Sequence, residues 1–173
     1  MMDFRPIGVV RSPLKEAGSP PFQSTYSLEE GSIEVFSEFQ EGLMSIEGFS
    51  HLIILSHLDR AAKDRALTER PLSDGVAYHG IFASRHYNRP NPIGLSYVAL
   101  RKVENGILYV NGLDLLDGTQ ILDIKPYVPA FDSIPHAVSG WVSDQHVERI
   151  RTTSNIAHQK IIKSGQNFIS ADD

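Results

Sequence analysis

The 173-residue chain has no cysteine, which excludes disulfides, zinc–thiolate sites and thiol catalysis together and fits a reducing compartment. Long apolar runs are also missing. A stretch such as Leu52–Leu55 falls far short of the ~20 residues that a membrane-spanning helix needs, so no span is expected. The first ten residues carry Asp3 and Arg5 among few apolar side chains, and no export signal is recognisable there. The expected address is the cytoplasm. Positive charge is in deficit, at a formal net −5, which argues against a surface that holds nucleic acid mainly by general phosphate neutralisation. The deficit is uneven. Between His79 and Pro129, five cations (Arg85, Arg89, Arg101, Lys102, Lys125) face four anions (Glu104, Asp114, Asp117, Asp123), which makes this block the least repulsive for a polyanion.

Several catalytic signatures are absent as well. No Gly-x-Gly-x-x-Gly follows a strand pattern and no Walker loop occurs, so a Rossmann-type nucleotide site is not expected. His51, His57, His79 and His86 lack metal-ligand spacing, and no metal is expected. No serine sits in a Gly-x-Ser-x-Gly elbow, which leaves nucleophilic catalysis unsupported.

What is present reads as β-structure. Short strands are expected over 7–11, 32–36, 51–58, 80–84, 95–103, 107–110 and 121–125, separated by turn residues such as Glu30-Gly31, Asn105-Gly106 and Asp117-Gly118. Asn105-Gly106 is a strong signal for a two-residue hairpin. In the third segment His51, Ile53, Leu55 and His57 alternate with Leu52, Ile54, Ser56 and Leu58, so both faces are largely apolar and the strand should be central. Helix is expected over 38–46 and over 144–163. In the second, Val147, Ile150, Ala157 and Ile161 recur at helical spacing, with Ser143 as N-cap and Gly165 as stop. The polar stretch 61–78 reads as a long surface loop. Strands that do not alternate with helices favour a mainly β fold, a barrel or sandwich, with a carboxyl-terminal helix.

Two blocks carry chemistry. In residues 80–96, Gly-Ile-Phe-Ala-Ser-Arg-His-Tyr-Asn-Arg-Pro-Asn-Pro-Ile-Gly-Leu-Ser, Pro90 and Pro92 fix their own φ and push Arg89 and Asn91 toward extended conformations. A loop so stiffened presents Arg85, Arg89 and Asn91 in fixed directions, as recognition of a charged or amide-bearing ligand requires, although a rigid connection without function has the same pattern. In residues 112–129, Asp114 and Asp117 flank a turn, and Asp123 and Lys125 share one strand face, where a plain ion pair is the simplest reading.

These blocks resemble the TrmO/TsaA-like family. The resemblance rests on Gly-Ile-Phe-Ala-Ser-Arg at 80–85, Arg-Pro-Asn-Pro-Ile-Gly-Leu-Ser at 89–96, and Leu-Asp-Leu-Leu-Asp-Gly-Thr at 113–119 running into Leu-Asp-Ile-Lys-Pro-Tyr-Val-Pro at 122–129. Ile-Gly-Val-Val-Arg-Ser-Pro at 7–13 and Gly-Phe-Ser-His-Leu at 48–52 add to it, so it spans about residues 5–142. It implies a single β-barrel domain over 1–142, a helix and tail over 143–173, a homodimer, and S-adenosyl-L-methionine as methyl donor near the dimer interface. It also implies methylation of N6 of threonylcarbamoyladenosine next to the anticodon of tRNA. Carried over by position, the cofactor contacts are Pro21, Phe22, Gln23, Asp59, Arg60, Arg85, Leu95, Asn111, Gly112, Leu113 and Asp114. The chain departs from the family's usual Pro-Arg-Gln at Phe22 and from its His-Gln at Asp59-Arg60, where backbone contacts would have to serve.

Methyl transfer from a sulfonium is an in-line displacement, promoted mainly by alignment and exclusion of water. The acceptor nitrogen is conjugated and needs a group to draw off its proton. Asn91 and Tyr127 are the candidates to orient it, and Arg89 and Lys125 the candidates to meet a phosphate or the threonyl carboxylate. Methylation of a different small acceptor by the same barrel, and a non-catalytic nucleotide- or RNA-binding module, are the alternatives.

Overall fold

The computed structural model describes residues 3–15, 23–61, 67–71 and 75–163, with side chains through residue 159. Its strands are β1 (Gly8–Arg11), β2 (Glu30–Val35), β3 (His51–His57), β4 (Thr68–Glu69), β5 (His79–Gly80), β6 (Ile93–Glu104), β7 (Ile107–Asn111) and β8 (Gln120–Pro126). Six of them close an antiparallel barrel in the order β1-β2-β7-β6-β3-β8, which gives the expected barrel. Closure removes the free edges that an open sheet would expose.

Period-two alternation sets the core. Leu52 and Ile54 of β3, Val98 of β6, Leu108 and Val110 of β7, Val10, Ile33 and Ile121 all point inward and are fully or almost fully buried. β3 lies between β6 and β8, as its two apolar faces suggested. Asn105 (φ +50) and Gly106 (φ +78) both take left-handed conformations between β6 and β7, the requirement of the expected two-residue hairpin turn. The seam between β1 and β8 has only two paired rungs. It is supplemented by Val10 N–H to Thr119 O (2.9 Å) and by Ser12 N–H to the Asp117 carboxylate (3.0 Å), which also meets Lys15 (3.0 Å). Partial desolvation pulls the Asp117 pKa up, but the Ser12 N–H and Lys15 outweigh it and leave the carboxyl below its usual value.

Three expectations need correction. The strand expected over 80–84 ends at Gly80, and Ile81–Ala83 form a 3-10 turn. Ile81 is fully buried and donates its N–H to Leu67 O, while Arg89 Nη1 donates to the carbonyls of Ile81 (3.0 Å) and Ser84 (2.8 Å), so those carbonyls serve a side chain instead of a ladder. The helix expected over 38–46 is two 3-10 turns, Ser37–Leu43 and Ile46–Gly48, interrupted at Ser45, whose φ is +67. In the loop expected over 61–78, β4 pairs with β5, and 62–66 and 72–74 lie outside the described residues.

A short helix α1 (Pro129–Asp132) follows the barrel, and α2 (Asp144–Lys163) has the expected bounds. The Ser143 carbonyl accepts the first helical bond from Val147 N–H (3.1 Å), and His146 Nδ1 reaches back to accept the Ser143 N–H (3.0 Å), which satisfies an otherwise orphaned donor. Gly165, the expected stop, lies outside the described residues. Among the described side chains of α2, Ser154 and Ala157 are buried, and the Arg151 guanidinium lies 5.3 Å from the Tyr26 ring. None of the described helices is long and apolar enough to cross a membrane.

Gly31 of β2 marks a tight crossing of β1 and the turn after β7. A Cβ there would lie 2.5 Å from Arg11 O and 2.7 Å from Leu113 Cδ2. Gly31→Ala should therefore cost about 2 kcal/mol and lower Tm by about 5 °C, read by thermal melting. A melting point unchanged to about a degree would show that the barrel can open at this crossing.

Candidate functional site

The site begins where β7 ends. Gly112 turns the chain at φ +83, and its N–H and that of Leu113 both donate to Glu29 O at 3.0 Å. Leu113 and Leu115 are buried in the end of the barrel, and the Ser27 hydroxyl donates to Leu113 O. Asp114 is thereby held between two anchored leucines. Its carboxylate accepts from the Ser96 hydroxyl on β6 (2.5 Å) and from the Ser24 N–H.

A second wall comes from a 3-10 turn, Ser24–Tyr26. β7 accompanies β6 only from Ala99 onward, so the Tyr97 N–H on that side lacks a strand partner, and the Ser24 hydroxyl accepts it at 2.8 Å. Gln23, immediately before the turn, accepts from Arg85 Nη1 at 2.9 Å. The proline-braced segment, the first loop and the aspartate-bearing turn thus meet at one place. Arg85 adds its charge to the field at Asp114.

Asp114 is partly buried, and desolvation pushes its pKa up to about 6. The Ser96 hydroxyl, its own N–H, the Ser24 N–H and the Arg85 charge all pull in the opposite direction without restoring the ordinary value. Such a carboxylate has a strong electrostatic appetite for a cation or for hydroxyl donors.

The remaining sequence-predicted residues are distributed as follows. Leu95 stands on the outer face of β6, 44% exposed, beside Leu55 of β3. Asn111 closes β7 opposite Glu30 and Ala99. Asp59 and Arg60 lie exposed in the turn after β3, where Arg60 Nη2 donates to Asp117 O at 2.5 Å, on the β8 side of the turn that bears Asp114. Tyr127 donates its N–H to His51 O, and its ring meets Tyr97 edge-on with centroids 5.7 Å apart. Asn91 is exposed, and its carbonyl accepts the Ile93 N–H at 2.8 Å. Arg89 Nη1 is engaged with carbonyls of its own loop, and Lys125 pairs with Asp123 at 2.6 Å. Pro21 and Phe22 lie outside the described residues. Ser24, Ser96 and Glu29 hold the centre together without having been singled out from sequence. Only Ser96, a small polar side chain on the inward face of an apolar strand, carries a readable signal.

The residues fit an S-adenosylmethionine-like ligand in kind. Asp114 suits an ammonium or ribose hydroxyls, Arg85 and Gln23 suit a carboxylate, and exposed Leu95 suits a flat purine. Among the described residues no three His, Asp or Glu side chains gather as metal ligands. An open recess of about 430 Å³ lies at the opposite end of β7, lined by Glu34, Phe36, Gln40 and Asn105 among others. It holds none of the groups above, and chemistry outweighs volume in locating the site.

Comparison with known proteins points to one family. The model of the tRNA-methyltransferase O N-terminal domain matches residues 9–133. A Pyrococcus abyssi protein named a probable S-adenosyl-L-methionine-binding protein is 46% identical over 143 residues, which are 82% of this chain and 77% of that one. The tRNA (adenine(37)-N6)-methyltransferase of Escherichia coli K12 is 37% identical over 147 residues, covering 80% of this chain and 63% of the enzyme, so the chain spans less than two thirds of it. The crystal structure of TrmO from Pseudomonas aeruginosa superposes with a TM-score of 0.69 at 30% identity, covering 96% of this chain and 82% of that one.

The Asp114 carboxyl should titrate near 6 by carbon NMR, and Arg85→Ala should move the midpoint higher because it removes a charge that favours the ionised form. The folded-state value lies above the ordinary 3.8, so the unfolded chain releases this proton first. Asp114 therefore lowers stability as pH rises from about 4 through about 6, a loss that thermal melts should show and that Asp114→Ala should abolish. A midpoint near 4 in the wild type would overturn this description of the site.

Proposed function

The chain belongs to the tRNA-methyltransferase O N-terminal domain family, and on that premise we propose that it is an S-adenosyl-L-methionine-dependent methyltransferase acting on N6 of threonylcarbamoyladenosine beside the anticodon of tRNA. One observation carries the reading: Gln23 and Arg85 from one side, and Ser24, Ser96 and Asp114 from the other, meet in a single cluster. Gln23, Arg85, Leu95 and the Asn111–Asp114 turn hold the cofactor in this reading, with Pro21, Phe22, Asp59 and Arg60 completing the contacts. When bound, the cofactor supplies an electrophilic methyl group on a positively charged sulfur.

The chain's own groups then have separable tasks. Asp114, preset by the Ser96 hydroxyl, the Ser24 N–H and its own N–H, offers fixed negative charge without reorganising at the moment of reaction. Asn91 and Tyr127 orient the acceptor nitrogen and take up the hydrogen bond of its departing proton. The Tyr127 ring meets that of Tyr97, the neighbour of Ser96 on β6. Lys125 exchanges Asp123 for an anionic group of the acceptor, and Arg89 stiffens the arm while presenting positive charge on it. Phe82 and Tyr87, 77% and 56% exposed, flank Arg85 and offer stacking faces for unpaired bases of an anticodon loop. The outer face of β6 and β3, with Leu95 beside Leu55 and Tyr97 beside Ile53, is the surface we assign to a homodimer contact.

Calorimetry should give an affinity for S-adenosylmethionine that falls at least about tenfold in Arg85→Ala and in Asp114→Ala. Unchanged affinity in both would remove the cofactor site. With tRNA bearing threonylcarbamoyladenosine, mass spectrometry of digested nucleosides should show methyl uptake. Asn91→Ala and Tyr127→Phe should lower kcat about ten- to a hundredfold with cofactor affinity kept, and Phe82→Ala should raise KM for tRNA only. Cofactor binding without methyl uptake by that tRNA would redirect the search to another acceptor.

A further inference from the structure

Helix α2 lies outside the residues that the family model matches, yet it touches the elements that build the site. Arg151, Ser154 and His158 recur at helical spacing on one face of α2. Arg151 lies over Tyr26, the last residue of the 3-10 turn whose Ser24 bonds Asp114 and Tyr97. Ser154 is buried. His158 Nδ1 sits 2.7 Å from Glu29 Oε1, and Glu29 is only 3% exposed. A carboxylate has no proton to give, so Nδ1–H donates. The same Glu29 accepts the N–H groups of Gly112 and Leu113 on its backbone oxygen.

One buried residue thus has its side chain held by α2 and its main chain holding the turn that carries Asp114. A carboxylate this deeply buried without its donor is costly, and the segment bearing it shifts to reach water. Any such shift is passed through two hydrogen bonds to Gly112 and Leu113. We propose that His158 is a positioning residue for the cofactor site, acting through Glu29, so that docking of α2 sets the affinity for S-adenosylmethionine. The inference rests on the cofactor reading above and extends it to a helix beyond the residues that the family model matches.

The test uses the full chain and compares wild type, His158→Ala, His158→Asn and Asp114→Ala by calorimetry with S-adenosylmethionine, by melting, and by cofactor-dependent kinetics. The amide nitrogen of asparagine occupies nearly the position of Nδ1 and can donate to Glu29. His158→Ala should weaken cofactor binding about tenfold and raise KM for the cofactor in proportion, with kcat at saturating cofactor within about twofold. His158→Asn should recover most of the affinity. Two results overturn the proposal: unchanged affinity in His158→Ala, or equal losses in both variants accompanied by equal drops in Tm, which would reduce the contact to packing. Wild type that binds the cofactor while Asp114→Ala does not keeps the cofactor reading intact whichever way His158 is decided. Wild type that does not bind overturns both.

Discussion

The site depends on the carbonyl oxygen of Glu29 taking two consecutive N–H groups, those of Gly112 and Leu113. The last rung of the β2–β7 ladder pairs Glu30 with Asn111, and these two bonds continue the pairing one step past it. Barrel register therefore fixes where Asp114 stands. Leu113 makes the arrangement exclusive, because its buried side chain would leave the core if the pairing slipped by one residue. Gly112 supplies the left-handed turn that lets both donors aim at one acceptor, and a side chain at that φ would be strained. From this one clamp follow the approach of Asp114 to Ser96, the contact of the Ser24 turn with β6, and the seating of α2 against Glu29.

Asp114 shows what the clamp costs the fold. A carboxyl kept in surroundings that raise its pKa to about 6 opposes stability at neutral pH, and its hydrogen-bond donors offset only part of the desolvation. Placing Arg85 on a separate, proline-braced arm divides the charges between two elements, so neither the barrel nor the arm alone forms the site. That division also explains why the bulk of the arm is rigid. Arg89 ties the carbonyls of Ile81 and Ser84, and Pro92 O accepts the Leu58 N–H at 2.7 Å, which pins the arm at both ends of its exposed stretch.

Sequence periodicity gave the barrel strands nearly to their ends because each alternates against a single core, and Asn105-Gly106 fixed the hairpin because only residues tolerant of positive φ can make it. The convergence of Arg85 with Asp114 was legible through the family resemblance of the two blocks, not through spacing. The 3-10 turn at Ile81–Ala83 was not legible. A short apolar run after Gly80 looks like a strand, and what diverts it is a guanidinium eight residues away capturing its carbonyls. Glu29 and His158 are separated by 129 positions, and neither stands in a pattern that marks it. Ser24 is likewise ordinary in sequence and becomes meaningful only once β7 stops short along β6. Local propensity reports the ladder, whereas the ends of the ladder, where the chemistry sits, are decided by tertiary contacts.

The charge balance bears on how such a site can select an RNA acceptor. With a net charge of −5, the protein as a whole repels a polyanion, so long-range attraction contributes little to capture. Stacking does not share that handicap, since a base presents an uncharged face and gains contact with Phe82 or Tyr87 at short range, where salt screens little. An unpaired loop base meets such a surface better than duplex does, because its faces are open while duplex presents mainly phosphate. In the proposed reading, the arm that holds Arg85 for the cofactor also carries Phe82 and Tyr87, so one rigid segment would set the distance between the donor pocket and the stacked base. In this reading, selection of the acceptor is a matter of geometry imposed by the arm, and the barrel supplies the fixed frame against which that distance is measured.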